Sequence, residues 1–268
     1  MSTSNTPDRP DRGPAPVDHQ AAVAAESARL VTVAREADLA TAIPTCPGWT
    51  LADLVRHTGT VHRWFTNLLR QRVQERPLSR EVDLRLPEQH DGYVDWLAAG
   101  AAEAADVFAT IDPDSPMWAW GADQHARFWI RRMLFETLVH RIDAELALGV
   151  RPAIDRALAV DGVDEFLVNL PFAASFAPKT AQLRGADRAI RFSCTDGDGD
   201  WLVRLRPDGF GIEVDRTGPK ATTPDATVRG TAADLLLLVY GRLDHAAGGF
   251  ELLGDKELLA HWFANSEF

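Results

Sequence analysis

A change of periodicity near Pro152 constrains this chain more than any other feature of its sequence. Before it, apolar residues recur at helical spacing in four long stretches; after it, short runs alternate with period two between turn residues. Residues 19–42 carry Ala22, Val23, Ala25, Leu30, Val33, Ala34 and Ala37 at roughly helical intervals, and a stop is expected near Ile43 because Pro44 disfavours a helical residue before it. PTCPGWT (44–50) reads as a loop held by two prolines and a glycine. Thr50 is a plausible N-cap, with Asp53 facing the free amides of a second helix over 51–74. A third helix is expected over 90–111. A fourth, over 126–148, stops at Gly149 with Pro152 beyond. Four long amphipathic helices predict an antiparallel bundle.

The second half predicts a helix over 155–170, strands at 189–195, 201–206, 211–215 and 226–230, and closing helices at 231–242 and 255–264. DGDGD (196–200) lacks the spaced ligands and distal Glu of a calcium loop and reads as a hairpin turn. The expected architecture is α+β overall: a disordered leader over 1–17, a helical bundle over 18–152 and a small α+β domain over 153–268.

Charge and cysteine usage narrow the function. The 268 residues hold 28 Lys+Arg against 39 Asp+Glu, for a formal net charge of −11, which argues against nucleic acid or an anionic membrane as partner. No window approaches the roughly 20 apolar residues of a spanning helix. Two cysteines make no disulfide framework, so a reducing cytoplasm is expected.

Chemistry is concentrated on helices two and four. Glu136 and His140 stand four residues apart in ETLVHRID, about 40° apart on one helix face. A carboxylate and an imidazole so placed can bind one metal ion, and His57, in LVRHTG, could supply a third ligand across the bundle. The plainer alternative is a surface hydrogen-bonded pair, although Phe135, Leu138, Val139 and Ile142 surround it. Asp53 and Asp143 are each candidates to accept the free N–H of a ligating imidazole, and Asp53 could equally just cap its helix. Arg56, Arg131, Arg132 and Arg141 are candidates for a substrate carboxylate; Arg141 points about 100° away from His140. Cys46 could be read as a nucleophile beside His57, but its proline-bounded loop offers no local base and a packed small residue is the favoured reading; Cys194 reads as core. His62, about 140° around the helix from His57, cannot share its face. WAWG (118–121) is a candidate border of the site mouth, and Arg204, Arg206 and Arg242 are candidate anion contacts.

PTCPGWTLADLVRHTGTVHRW (44–64) and RRMLFETLVHRIDAEL (131–146) resemble the two signature segments of the mycothiol-dependent maleylpyruvate isomerase family, within the DinB-like metalloenzymes. The resemblance implies a DinB-like bundle followed by a domain loosely similar to sterol carrier proteins. It implies a divalent metal, zinc by family usage, on His57, Glu136 and His140, with mycothiol as thiol cofactor or cosubstrate. The implied chemistry is activation of that low-molecular-weight thiol, which adds to the cis double bond of a small electrophile such as maleylpyruvate, permits rotation and leaves, or is transferred. The implied partners are small molecules, and the implied assembly is a monomer or small homo-oligomer. A metal-binding or small-ligand-binding protein without catalysis is the alternative.

Overall fold

Asp18 opens the first helix by accepting the Ala21 N–H in the computed structural model, which describes residues 17–77, 82–213, 223–246 and 248–267. The expected leader therefore lies, apart from Val17, outside the described residues. Helix α1 (His19–Arg35) is shorter than the 19–42 pattern suggested. The reason is competition for backbone partners. Leu51 donates to the Thr41 carbonyl at 2.8 Å and Ala52 to Leu39 at 2.9 Å, while Ile43 donates to Trp49 at 2.9 Å. Residues 39–43 thus satisfy the orphan amides at the start of the next helix instead of extending their own.

Helix α2 (Leu51–Gln71) begins with a reciprocal cap: Thr50 Oγ1 accepts the Asp53 N–H and the Asp53 carboxylate accepts the Thr50 N–H. It stops three residues short of the expected 74, where Arg72 turns left-handed at φ +48°. Helix α3 (Tyr93–Phe108) follows a single 3-10 turn at His90–Gly92 and ends before the expected 111. Helix α4 (Ala126–Ala147) ends one residue before its expected bound, and Gly149 adopts the φ of +71° that the chain reversal requires. Helix α1 packs on α3 and α4, and α2 packs on the same two. Trp129, Phe135, Leu138 and Ile142 of α4 are all fully buried, which makes this helix the spine of the region.

The remainder is a small sheet with helices. Helix α5 (Arg156–Asn169) leads through two 3-10 turns to β1 (Arg188–Cys194), β2 (Asp200–Arg206), β3 (Gly209–Ile212), β4 (Ala226–Gly230), α6 (Ala232–Val239), β5 (Glu251–Gly254) and α7 (Lys256–Asn265). The sheet order is β3-β2-β1-β4-β5; β1 and β4 are parallel and the other pairs antiparallel. Strand β5 was not foreseen. It has only four residues and a single apolar pair, Leu252 and Leu253, so it carries almost no period-two signal. The fold is mixed α+β, a helical first half and a small sheet domain. Helix α6 packs on α5 and its end turns back towards α4, which matters for the site.

Candidate metal centre

Helix α4 presents Glu136 and His140 one turn apart, and adjacent α2 presents His57 to the same spot. His140 Nε2 lies 3.5 Å and His57 Nε2 3.8 Å from Glu136 Oε2. The imidazoles meet edge to face with centroids 4.9 Å apart, and one donor atom from each of the three residues lies within 4.8 Å of the others. Trp49, on the proline-bounded loop, walls the pair with its ring 5.0 Å from that of His57 and 6.2 Å from that of His140.

The atoms that face away from this point are already held. His140 Nδ1 is 2.9 Å from Asp143 Oδ2, one turn along α4. Asp143 is fully buried and accepts from Thr45 Oγ1 at 2.6 Å and from Arg242 Nε and Nη2 at 2.9 and 2.7 Å. Burial alone would raise the Asp143 carboxyl, but His140 and Arg242 hold it well below the usual carboxylate range. Glu136 Oε1 accepts from Arg132 Nη2 at 3.1 Å. Burial pushes the Glu136 carboxyl up, and Arg132 with the two imidazoles drives it well below its ordinary value. His140 loses solvation too, but Asp143, Cys46 and Glu136 raise its pKa well above that of a free imidazole. An open cavity of about 380 Å³ reaches His57, lined by Trp49, Asp53, Arg56, Thr60, Leu84 and Leu86.

This donor set fits a divalent first-row ion. Two imidazole nitrogens and one carboxylate oxygen converge; the carboxylate is held ionised; and Asp143 fixes His140 so that Nε2 is the nitrogen facing the cluster. Three protein donors, with His57 reaching the cavity, leave coordination positions for a small molecule.

Other expectations fare differently. Arg141 does not reach the site: it is completely buried against α1 and α4, with Nε on Glu26 at 2.8 Å and Nη1 on Glu145 at 2.6 Å. Its 100° rotation from His140 carries it into the core instead of into solvent. Asp53 is bonded to Thr50 and, at 3.2 Å, to Arg56. Arg131 pairs with Asp161 and Asp164. Arg204 pairs with Glu213 and Asp187. His62 points into the core, where its Nε2 is 2.7 Å from Thr137 Oγ1. WAWG packs through Trp118 on Trp129 and through Trp120 on Phe128 and Phe176, with no described contact to the three candidate ligands.

Cys46 and Arg242 both meet Asp143, a partner that no local spacing displays. Cys46 does pack against the apolar cluster at the α1–α2–α3 end, but its thiol is also 3.6 Å from Asp143 Oδ2 and 3.8 Å from Arg242 Nη2. Arg242 stands in the turn after α6, not on a strand face, and 99 residues separate it from Asp143. The only sequence cue for Cys46 was the rigid loop that carries it.

The Mycothiol maleylpyruvate isomerase N-terminal domain matches residues 20–145, and the MDMPI C-terminal domain matches residues 157–261. No curated protein matches the chain. Among solved structures, a mycothiol-dependent maleylpyruvate isomerase superposes with a TM-score of 0.59 at 14% identity, over 88% of this chain and 91% of that one. A histidine-to-alanine mutant of such an isomerase gives 0.60 at 12% identity over the same shares. At those identities the structures attest the fold, and the two domain matches, end to end over most of the sequence, attest the lineage. The chain belongs to the mycothiol-dependent maleylpyruvate isomerase family of enzymes.

Proposed function

We propose that this protein is a divalent-metal-dependent enzyme in which His57, Glu136 and His140 hold the ion and mycothiol is the thiol it activates. The reaction is isomerisation of, or transfer to, a small electrophile such as maleylpyruvate. The observation that carries this reading is the convergence of three donor atoms from two helices beside an open cavity, with the far sides of Glu136 and His140 already bonded. Zinc, which suits two nitrogens and one oxygen, would lower the pKa of a thiol brought to it and supply a thiolate at neutral pH. Asp143 keeps His140 oriented by taking its Nδ1 side, and Arg242 keeps Asp143 ionised. Arg132 keeps Glu136 anionic. Trp49, Leu84 and Leu86 give the cavity an apolar wall, and Arg56 offers a carboxylate of the electrophile a partner. In the isomerisation, a sulfur–carbon bond forms at the cis double bond, the former double bond rotates, and the same bond breaks to return the thiol. A cytoplasmic setting accords with the chemistry, and among the described residues no helix is long and apolar enough to cross a membrane.

Metal analysis and turnover test this together. The wild type is expected to hold close to one divalent ion per chain and to isomerise maleylpyruvate only when mycothiol is present. His140→Ala should lose the ion and lower turnover by more than about 100-fold, exceeding the cost of removing a residue that merely supports a ligand. Full metal content in His140→Ala would refute the site. Metal binding with no thiol-dependent turnover of any electrophile would leave the non-catalytic reading.

A further inference from the structure

Glu136 has two oxygens, and the way one of them is held is not a local matter. Arg132 is 3% exposed and is presented one turn before Glu136 on α4. An arginine beside a carboxylate commonly grips both oxygens through its two-pronged fork. Here it cannot. Only Nη2 reaches Glu136, at Oε1, because Nη1 is engaged by Glu165 Oε2 at 2.7 Å and by the Tyr240 hydroxyl at 3.0 Å. Tyr240 in turn donates its hydroxyl proton to Glu165 Oε2 at 2.8 Å, and Asn169 Nδ2 donates to Glu165 Oε1 at 3.2 Å. Glu165 on α5 is 1% exposed and Tyr240 at the end of α6 is 6% exposed, so water offers these groups little alternative. The Tyr240 ring is fixed against Phe166, centroid to centroid 5.0 Å.

We propose that Glu165 and Tyr240 are positioning residues that hold Arg132 to a single oxygen of Glu136, so that Glu136 meets a metal through Oε2 alone. The sheet domain is then a structural part of the metal centre. This rests on the metal-site reading above and deepens it. A one-oxygen carboxylate beside two imidazoles keeps the coordination number low, which favours a zinc-like tetrahedral ion. A carboxylate free to offer both oxygens accommodates the larger shells of hard cations. Releasing Arg132 from Glu165 or Tyr240 lets the fork turn onto Oε2 as well, and that oxygen is the one directed at His57 and His140.

The test uses the full chain with Tyr240→Phe and, separately, Glu165→Gln. Zinc affinity is measured by competition with a chromophoric chelator, and coordination by the visible absorption of the cobalt(II)-loaded protein. Each variant is expected to bind zinc about 10-fold more weakly, the cost usual for losing a group that orients a ligand. The strong cobalt bands of a low-coordinate ion should weaken as the geometry changes. Affinity within about twofold of wild type together with an unchanged cobalt spectrum would overturn the proposal, even if the variants melt at lower temperature, because packing alone would explain the melting. Glu165→Gln loosens the same Nη1 anchor while keeping the size of the side chain, and serves if Tyr240→Phe does not fold. If the wild type takes up neither zinc nor cobalt, both this proposal and the metal-site reading fall, whereas a metal-loaded wild type with indifferent variants overturns this proposal alone.

Discussion

Two groups of buried charge flank α4, and they are finished to different degrees. On the α1 side, Arg141 and Arg29 face Glu26 and Glu145; Arg141 bonds both acids at 2.8 and 2.6 Å, and Arg29 reaches their other oxygens at 3.1 and 3.5 Å. Two cations meet two anions and each of the four carboxylate oxygens accepts a bond, although Arg141 Nη2 is left buried without a partner. On the α2 side, Asp143 with Arg242 and Glu136 with Arg132 are bonded just as tightly on their outer faces. Their inner face is left with Glu136 Oε2 at 3.5 and 3.8 Å from two imidazole nitrogens, and the cluster borders a cavity. A helix can bury charge for architecture on one side and for chemistry on the other, and the difference is whether the donors complete one another or aim at a shared point.

The sharpest way to break that contrast is to cut the α1-side cluster. Arg141→Met should leave Glu26 and Glu145 buried with only Arg29 to compensate, costing roughly 3–5 kcal/mol of stability in chemical denaturation. Metal content should stay that of the wild type, because the α1 side serves the fold. Loss of the ion in folded Arg141→Met would mean that the two flanks are one unit.

His62 provides an intermediate case on the same α2–α4 seam. Thr137 donates its hydroxyl proton to the Met133 carbonyl at 2.7 Å, so His62 Nε2 must be the donor to Thr137 Oγ1 and Nδ1 carries a buried lone pair without a partner. Burial, with Arg63 adding to it, lowers the His62 pKa from 6.5 to about 4. Between those values the unfolded chain binds a proton that the folded chain refuses. Stability present above pH 6.5 is therefore lost as the pH falls towards 4, by about 3 kcal/mol from this one group. His62→Gln should remove that part of the slope. The check is the difference between wild-type and variant unfolding free energies across this range; parallel curves would refute the neutral buried histidine.

What could be read beforehand follows from which interactions are local. The Glu136–His140 pair and the Thr50–Asp53 cap are set by spacings of four and three residues on single helices, and a sequence displays such spacings directly. The rotation of Arg141 away from His140 was legible for the same reason, but its destination was not, because Glu26 lies 115 residues away. Arg242 meets Asp143 across 99 residues, and Tyr240 meets Glu165 across 75. No local pattern encodes those meetings, so Arg242 could be named as a candidate anion contact but its partner, Asp143, could not. The early end of α1 has a related cause: the pairing of residues 39–43 with 49–52 prevails over a helical pattern that is weak beyond Ala37.

Asp53 sits at the edge of both categories, and the smallest predicted effect decides its place. It lines the cavity beside His57, yet its hydrogen bonds go to Thr50 and Arg56. The Thr50 backbone and side-chain bonds lower its carboxyl pKa, as for an acid working on free amides at a helix start. Asp53→Ala should therefore cost about 1 kcal/mol of stability, the usual scale of a lost cap. Zinc affinity should stay within about twofold of the wild type, since no bond from Asp53 to His57 is needed to hold the ring beside Trp49. A tenfold fall in affinity, the scale expected for an acid that orients a ligating imidazole, would instead move Asp53 into the metal centre. The open cluster would then extend from α4 across the first turn of α2, and the cap would serve the ligand as well as the helix.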